Sequence, residues 1–461
     1  MSKYFGDKKF YKMVLTVAIP AIIQNLVTNF VNLLDNIMVG RIGTEQMSGV
    51  AIVNQLNFVF YLCMFGAVSG ASIFGSQFYG LKDTEGLRNV FRFKLITCVL
   101  LALVAMSIFF FGGDFLISRY LLSTESEGDA ALTLASGNGY LMVMLIGMIP
   151  YSVTQVYVSS MREITDTRVP MTASVIAVFT NLVFNYILIF GKFGVPAMGV
   201  YGAAAATVIS RFVECLIVIV WTHIHRGKYF YITGAYRTLK VPGVLAKQII
   251  TKGMPLLINE TFWAGSLAIL SQCYSLKGLE VVAAQNISST ISNLFNTVYL
   301  QLGASIAIIV GPLLGAGKME EAKETARKMI VFSLMGCVAM GIIMASTAHV
   351  FPLLYNTTDH VRSLASSIIT ISACFTPLFG FENAAYFTLR AGGKTGITFL
   401  FDSGYQWIIM LPLAFILTHF TSLSILPVIA CVQASEIIKA AFGIFLIKKG
   451  VWVNRIVAGS A

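Results

Sequence analysis

The chain has 461 residues, of which 57% are apolar and 11% charged, with a formal net charge of +11 and a mean hydropathy of +0.79. An ordinary soluble domain carries about 25% charged residues, so a water-soluble globule is excluded: it would leave far too much apolar surface in water. A positive balance can signal a nucleic-acid partner, but the distribution of the charge assigns it to membrane topology instead.

Apolar runs of about 20 residues, each long enough to cross a bilayer, predict twelve spans. They fall near 13–39, 48–78, 91–113, 133–160, 169–191, 199–222, 248–275, 283–314, 329–354, 363–389, 396–419 and 424–447. The first follows a lysine-rich start, as a signal peptide would. It is too long for a signal core and has no small-residue cleavage site, so it reads as a span. Within it Gln24, Thr28, Asn32, Asp35 and Asn36 recur every three or four residues and share one helix face, which Asn25 and Asn29 widen. A charge near the bilayer centre costs about 2.5–3.5 kcal/mol on insertion scales, so that face must line water or meet polar groups.

The fifth span places Asn181 and Asn185 four residues apart, on one face. Amide oxygens together with the Asp35 carboxylate suit a hard cation such as Na⁺, or cradle a protonatable Asp. Arg211 and Glu214 in the sixth span are three apart, as are Glu436 and Lys439 in the twelfth, with signs exchanged. That spacing predicts neutralisation within each helix or pairing between the halves. Glu260 lies some ten residues into the seventh span. The eighth span repeats the polar theme of the first with Gln285, Ser289, Ser292, Asn293, Asn296 and Gln301. Glu382 precedes the end of the tenth span, and Asp402 follows the start of the eleventh. Glu260, Glu382 and Asp402 are therefore expected at similar depth, where they would attract organic cations or protons. The alternative is separate pairing at helix ends with Arg390 or Lys394.

The loops test the span count. Taking the N-terminus, every second loop and the C-terminus as one side collects 25 basic residues, against 5 on the other side. The positive-inside rule then makes both termini cytoplasmic in a multi-pass protein of the plasma membrane. The longest polar stretch, 223–247, reads as a cytoplasmic linker between an N-terminal lobe, 1–222, and a C-terminal lobe, 248–461. The two lobes repeat. At an offset of 235 residues, Pro20 falls on Pro255, Ile23 on Ile258, Gly43 on Gly278, Glu45 on Glu280, Phe60 on Phe295 and Gly80 on Gly315. Six spans per half require both halves to share one orientation. The expected fold is thus an all-α integral membrane protein, with two parallel-oriented six-helix bundles related by a pseudo-two-fold axis along the membrane normal. Such duplication is the build of a secondary transporter.

Other chemistry is not supported. The seven cysteines lie in apolar runs without CxxC spacing and read as packing residues. The five histidines lie in loops or near span ends, which leaves no mid-membrane proton relay of histidines. Gly392-Gly393-Lys394-Thr395 imitates a phosphate-binding loop, but Thr388 stands where its first glycine is required. An enzyme is not expected, nor any cofactor beyond a coupling ion; with no ATP-hydrolysis motif in the sequence, the energy must come from an ion gradient unless a partner chain supplies it.

Leu33-Leu34-Asp35-Asn36-Ile37 with Val39-Gly40, the run Asn181-Leu182-Val183-Phe184-Asn185 through Gly191, Gly194, Pro196 and Gly199 to Thr207, and Arg162 followed by Asp166-Thr167 resemble the multidrug and toxic compound extrusion family. The resemblance covers about 10–450. It implies two six-helix bundles facing across a V-shaped cleft, and antiport of Na⁺ or H⁺ against an organic cation. It also implies a cation site at Asp35, Asn181 and Asn185 with Tyr140 nearby, and an acidic residue in span seven, for which Glu260 is nearest. Some members have Asp where this chain has Asn185, and the family's second Asp-Thr is Lys394-Thr395 here. The expected function is cation-coupled export of small, amphipathic, cationic compounds by a monomer in the lipid bilayer, with no nucleic acid partner. Two alternatives stand beside it. A lipid-linked precursor flippase would need a strongly cationic cleft, whereas carboxylates outnumber unpaired basic residues in these spans. An integral membrane transferase would need a polar cluster in a sizeable loop.

Overall fold

The computed structural model describes residues 4–122 and 130–457; Lys3, one of the basic residues counted by side, lies outside them. Helices account for nearly all of the described chain. They are α1 (Lys8–Gly40), α2 (Thr44–Leu81), α3 (Thr84–Leu122), α4 (Ala130–Ile146), α5 (Met148–Glu163), α6 (Arg168–Phe190) and α7 (Gly199–Ile224). There follow α8 (Gly243–Ser275), α9 (Leu279–Gly315), α10 (Met319–Thr347), α11 (Asp359–Ala391), α12 (Thr395–His419) and α13 (Ile425–Lys449).

Among the described residues ten helices are long and apolar enough to cross a membrane, and the α4–α5 pair adds an eleventh as a span bent by 48°. The expected fourth span is therefore broken. Pro150 cannot donate back to the Ile146 carbonyl, and a Cβ on Gly147 would lie 3.1 Å from both Val208 Cγ2 and Arg211 Cδ of α7. The seventh expected span corresponds in position to α8, 33 residues long, whose apolar run is interrupted by Asn259, Glu260 and Thr261.

The chain divides into two compact units, neither of them a single run. One, the C-terminal unit, comprises Met1–Ile22, Ser76–Asp83 and Thr251–Ala461; the other, the N-terminal unit, comprises Ile23–Gly75 and Thr84–Ile250. In the C-terminal unit Val14 and Val17 of α1 join a core with Ile306, Val310, Met329, Leu389 and Trp452. The aligned glycines of the repeat meet the same crossing there. A Cβ on Gly80 would lie 1.8 Å from the Pro312 carbonyl oxygen, and one on Gly315 would lie 1.9 Å from that of Gln77. Backbone cannot rotate away, so α2 and α9 need both glycines to touch. Gly315→Ala is expected to cost about 1–3 kcal/mol, the usual range for overpacking, read as a lowered thermal midpoint in detergent. An unchanged midpoint would mean that the crossing yields freely.

Within α12, residues Leu400–Gly404 and Gln406–Met410 form π-helical turns. Such widened turns interrupt the regular ladder and occur often at functional sites.

In the N-terminal unit the expected linker is folded. Tyr229 and Tyr231 are fully buried, and Arg92 donates to the carbonyls of Ala235 (2.9 Å) and Gly234 (3.0 Å). Asp166, in the α5–α6 loop, accepts from Tyr229 Oη at 2.6 Å, from the Arg168 amide at 3.2 Å and from Lys228. Burial pushes the Asp166 carboxyl up, but these donors outweigh it and hold the group below the ordinary carboxylate range. Asp166 thus staples the linker to the α5–α6 loop.

Candidate functional site

The expected site residues gather in two polar clusters inside otherwise apolar packing, one in each unit. In the N-terminal unit α1, α4, α6 and α7 bring together Asp35, Tyr140, Asn181, Asn185 and Thr207. Asn185 Nδ2 donates to Asp35 Oδ1 and, at 3.0 Å, to Asn181 Oδ1. Asn181 Nδ2 in turn donates to Thr207 Oγ1 at 3.2 Å. Tyr140 is 3% exposed, hydrogen-bonds Thr207 and feels the Asp35 charge. The four-residue spacing of Asn181 and Asn185 is what lets one amide hand its hydrogen bond to the next along α6.

One acceptor in this network is left over: Asn185 Oδ1 is buried and has no donor. A buried acceptor without a donor is costly, and here it stands beside a carboxylate. The oxygens of Asp35, Asn185, Thr207 and Tyr140 form a hard donor set, which fits Na⁺ or a protonated carboxyl. The rest of the α1 stripe behaves differently. Gln24 accepts from Arg162 at 2.9 Å, Thr28 bonds the Gln24 carbonyl at 2.8 Å, and Asn32 and Asn36 are exposed. On α9, Ser289 bonds the carbonyl of Asn286 in its own helix at 3.0 Å.

The charged pair of α7 is not joined as its spacing predicts. Arg211 donates to the Tyr61 hydroxyl and lies over the Tyr61 and Tyr151 rings at 5.7 and 5.3 Å. Glu214 hydrogen-bonds Ser174 instead. An aromatic box satisfies the guanidinium without a carboxylate.

In the C-terminal unit the three expected carboxylates are neighbours but not equivalent. Glu260 of α8 accepts from Tyr386 at 3.2 Å and feels both Arg390 and Asp402. Glu382 of α11 and Asp402 of α12 both face Lys439 of α13, at 3.5 and 3.0 Å. Asn259 Nδ2 donates to Asp402 Oδ2 at 3.0 Å, while its Oδ1 accepts from Ser403 Oγ at 2.8 Å, within the π-helical turn. Lys439 therefore pairs first with Asp402, and its neighbour in sequence, Glu436, is the most distant of its three carboxylates at 3.9 Å.

Sequence reasoning missed Lys439 as the hub of this cluster, and it missed Thr207 as a member of the other. A lysine deep in an apolar span was the available signal. Lys94 was missed as well. It counts among the loop charges by position, yet it is 1% exposed and bonds Glu163 Oε1 at 2.7 Å, Ser160 Oγ at 2.5 Å and Ser159 Oγ at 3.1 Å.

The MatE family model matches twice, over residues 20–187 and 255–416, so each match begins on one of the aligned prolines. The chain is 25% identical over 453 residues to the probable multidrug resistance protein NorM of Thermotoga maritima, covering 97% of this chain and 94% of that protein. It is also 25% identical to the probable multidrug resistance protein YoeA of Bacillus subtilis, over 89% of this chain and 87% of that one. Among solved structures, a crystal structure of MATE in complex with MaL6 superimposes with a TM-score of 0.86 at 21% identity, covering 97% of both chains. The likeness establishes the fold class as all-α membrane protein of the two six-helix-bundle type.

Proposed function

The chain belongs to the MatE family of membrane transporters, and from that premise we propose that it exports small, amphipathic, cationic organic compounds in exchange for Na⁺ or H⁺. It is a multi-pass multidrug efflux transporter, and its substrates are small molecules. In the proposed cycle the coupling ion enters at Asp35, with Asn181, Asn185, Thr207 and Tyr140 supplying the remaining oxygens. Neutralising the carboxylate repacks α1 and displaces the cationic substrate. Ion and substrate are linked because each biases the same two-state element. The protein acts as a monomer in the plasma membrane with both termini cytoplasmic, and the repeated lobes 1–222 and 248–461 carry the cycle.

The observation that carries this reading is the leftover Asn185 Oδ1 beside the Asp35 carboxylate, inside a hydrogen-bonded cage of oxygens. The donor set takes either ion, so the coupling ion is decided by experiment. The protein is reconstituted into liposomes, and efflux of a fluorescent organic cation is followed under a Na⁺ gradient and a pH gradient applied separately. At least one gradient accelerates efflux. Efflux indifferent to both would remove ion coupling.

A further inference from the structure

The cluster around Lys439 holds more negative charge than it can balance. Three carboxyl groups, Asp402, Glu382 and Glu436, lie within 3.0, 3.5 and 3.9 Å of one ammonium, and Glu382 and Glu436 are 3% and 7% exposed. With all three ionised the cluster would bury two uncompensated negative charges in an apolar interior. Desolvating such charges is severely unfavourable, and neighbouring carboxyls relieve it by sharing a proton.

Hydrogen-bond donors decide which of them share it. Asp402 has a donor on each oxygen, Lys439 Nζ on Oδ1 and Asn259 Nδ2 on Oδ2, both at 3.0 Å. It is satisfied as an anion and needs no proton. The other two are not satisfied. Glu382 Oε1 and Glu436 Oε2 are buried without a donor, although the two side chains interact directly. Two ionised carboxylates are both pure acceptors and cannot bond each other; a single proton turns one of them into a donor. We propose that Glu382 and Glu436 hold one exchangeable proton between them, forming a proton-binding site in the C-terminal unit distinct from Asp35.

The surroundings fit a proton that is held yet exchangeable. Tyr299 of α9, Tyr405 and Asp402 of α12 and Lys439 of α13 face the pair, and Tyr274 of α8 faces Glu436. Lys439 lies 5.6 Å from the centres of the Phe401 and Tyr405 rings, so aromatic faces as well as Asp402 attract the ammonium. With Lys439 balancing Asp402, the glutamate pair carries one negative charge when it holds its proton and two when it does not. Proton and organic cation would therefore compete for this pair, a consequence that rests on the cationic-substrate reading. The proton site itself does not.

The test uses the full-length protein carrying Asp35→Asn, so that Asp35 contributes no proton and a failed Asp35 reading cannot mimic a failure here. Infrared difference spectra between neutral and alkaline buffer report the C=O stretch of a buried protonated carboxyl. The band is expected in this background, lost on adding either Glu382→Gln or Glu436→Gln, and retained on adding Asp402→Asn. Loss by either single change follows because a glutamine donates to the remaining carboxylate and removes its need for a proton. Glutamine also keeps the shape, so the fold should persist; proton release by weakly buffered protein on an alkaline pulse gives a second reading, one proton fewer in each Gln variant. A band that is absent at the start, survives both Gln changes, or disappears with Asp402→Asn alone would overturn the assignment.

Discussion

Asp35→Asn is expected to leave a folded, membrane-inserted protein in which substrate efflux no longer responds to the ion gradient. Asparagine keeps the volume and can still meet Asn185, whose Nδ2 now reaches the carboxylate. What it removes is the one formal charge in the oxygen cage of the N-terminal unit. Coupling free energies between two ligands are typically 1–3 kcal/mol, so the ratio of gradient-driven to passive efflux should fall by about 5–150-fold. Two measurements check it together: efflux from liposomes with and without the gradient, and the thermal midpoint of the purified variant. Gradient-driven efflux at the wild-type level would remove Asp35 from the coupling scheme. A collapsed midpoint would instead mark Asp35 as structural.

The largest loss of stability is expected from Lys94→Met. Lys94 and Glu163 are 1% and 2% exposed, their charged atoms 2.7 Å apart, and Ser159 and Ser160 complete the lysine's donors. Removing one member of such a buried pair leaves the other charged and desolvated, at a cost of about 3–5 kcal/mol. The glutamate packs directly over Gly75, where an added Cβ would lie 2.1 Å from its Oε2. Lys94→Met together with Glu163→Gln should recover most of that loss, since no lone charge remains. Thermal unfolding in detergent compares the three proteins. Equal midpoints for the single and double variants would mean that packing, not charge, governs this corner.

The same two pairs show how far a sequence can be read. Asp35 stood out because an acid within a long apolar run needs a reason, and Asn181 and Asn185 because four residues bring two amides to one helix face. Their meeting across 150 residues of chain, through Asn185 and Asp35, is a property of how α1 and α6 pack. For Lys94 the sequence was misleading: a lysine next to a polar loop reads as solvated, and only the arrival of α5 beneath α3 puts Glu163 and two serines around it.

Lys439 makes the same point for the C-terminal unit. Spacing along α13 nominates Glu436 as its partner, three residues away. Packing nominates Asp402, which a π-helical turn of α12 and the Asn259 side chain hold at 3.0 Å from the ammonium. A helix's own neighbours are known from its register, but a widened turn shifts that register and no hydropathy pattern announces it.

By itself, then, the sequence determined what bulk solvent physics can decide: a membrane protein, helical because lipid leaves backbone groups no other partner, duplicated, and carrying its acids in known helices. The tertiary structure alone decided which acids keep a donor on every oxygen and which are left to share a proton. Periodicity records which way a side chain faces along its own helix, and the identity of what it meets belongs to a different helix, placed by packing.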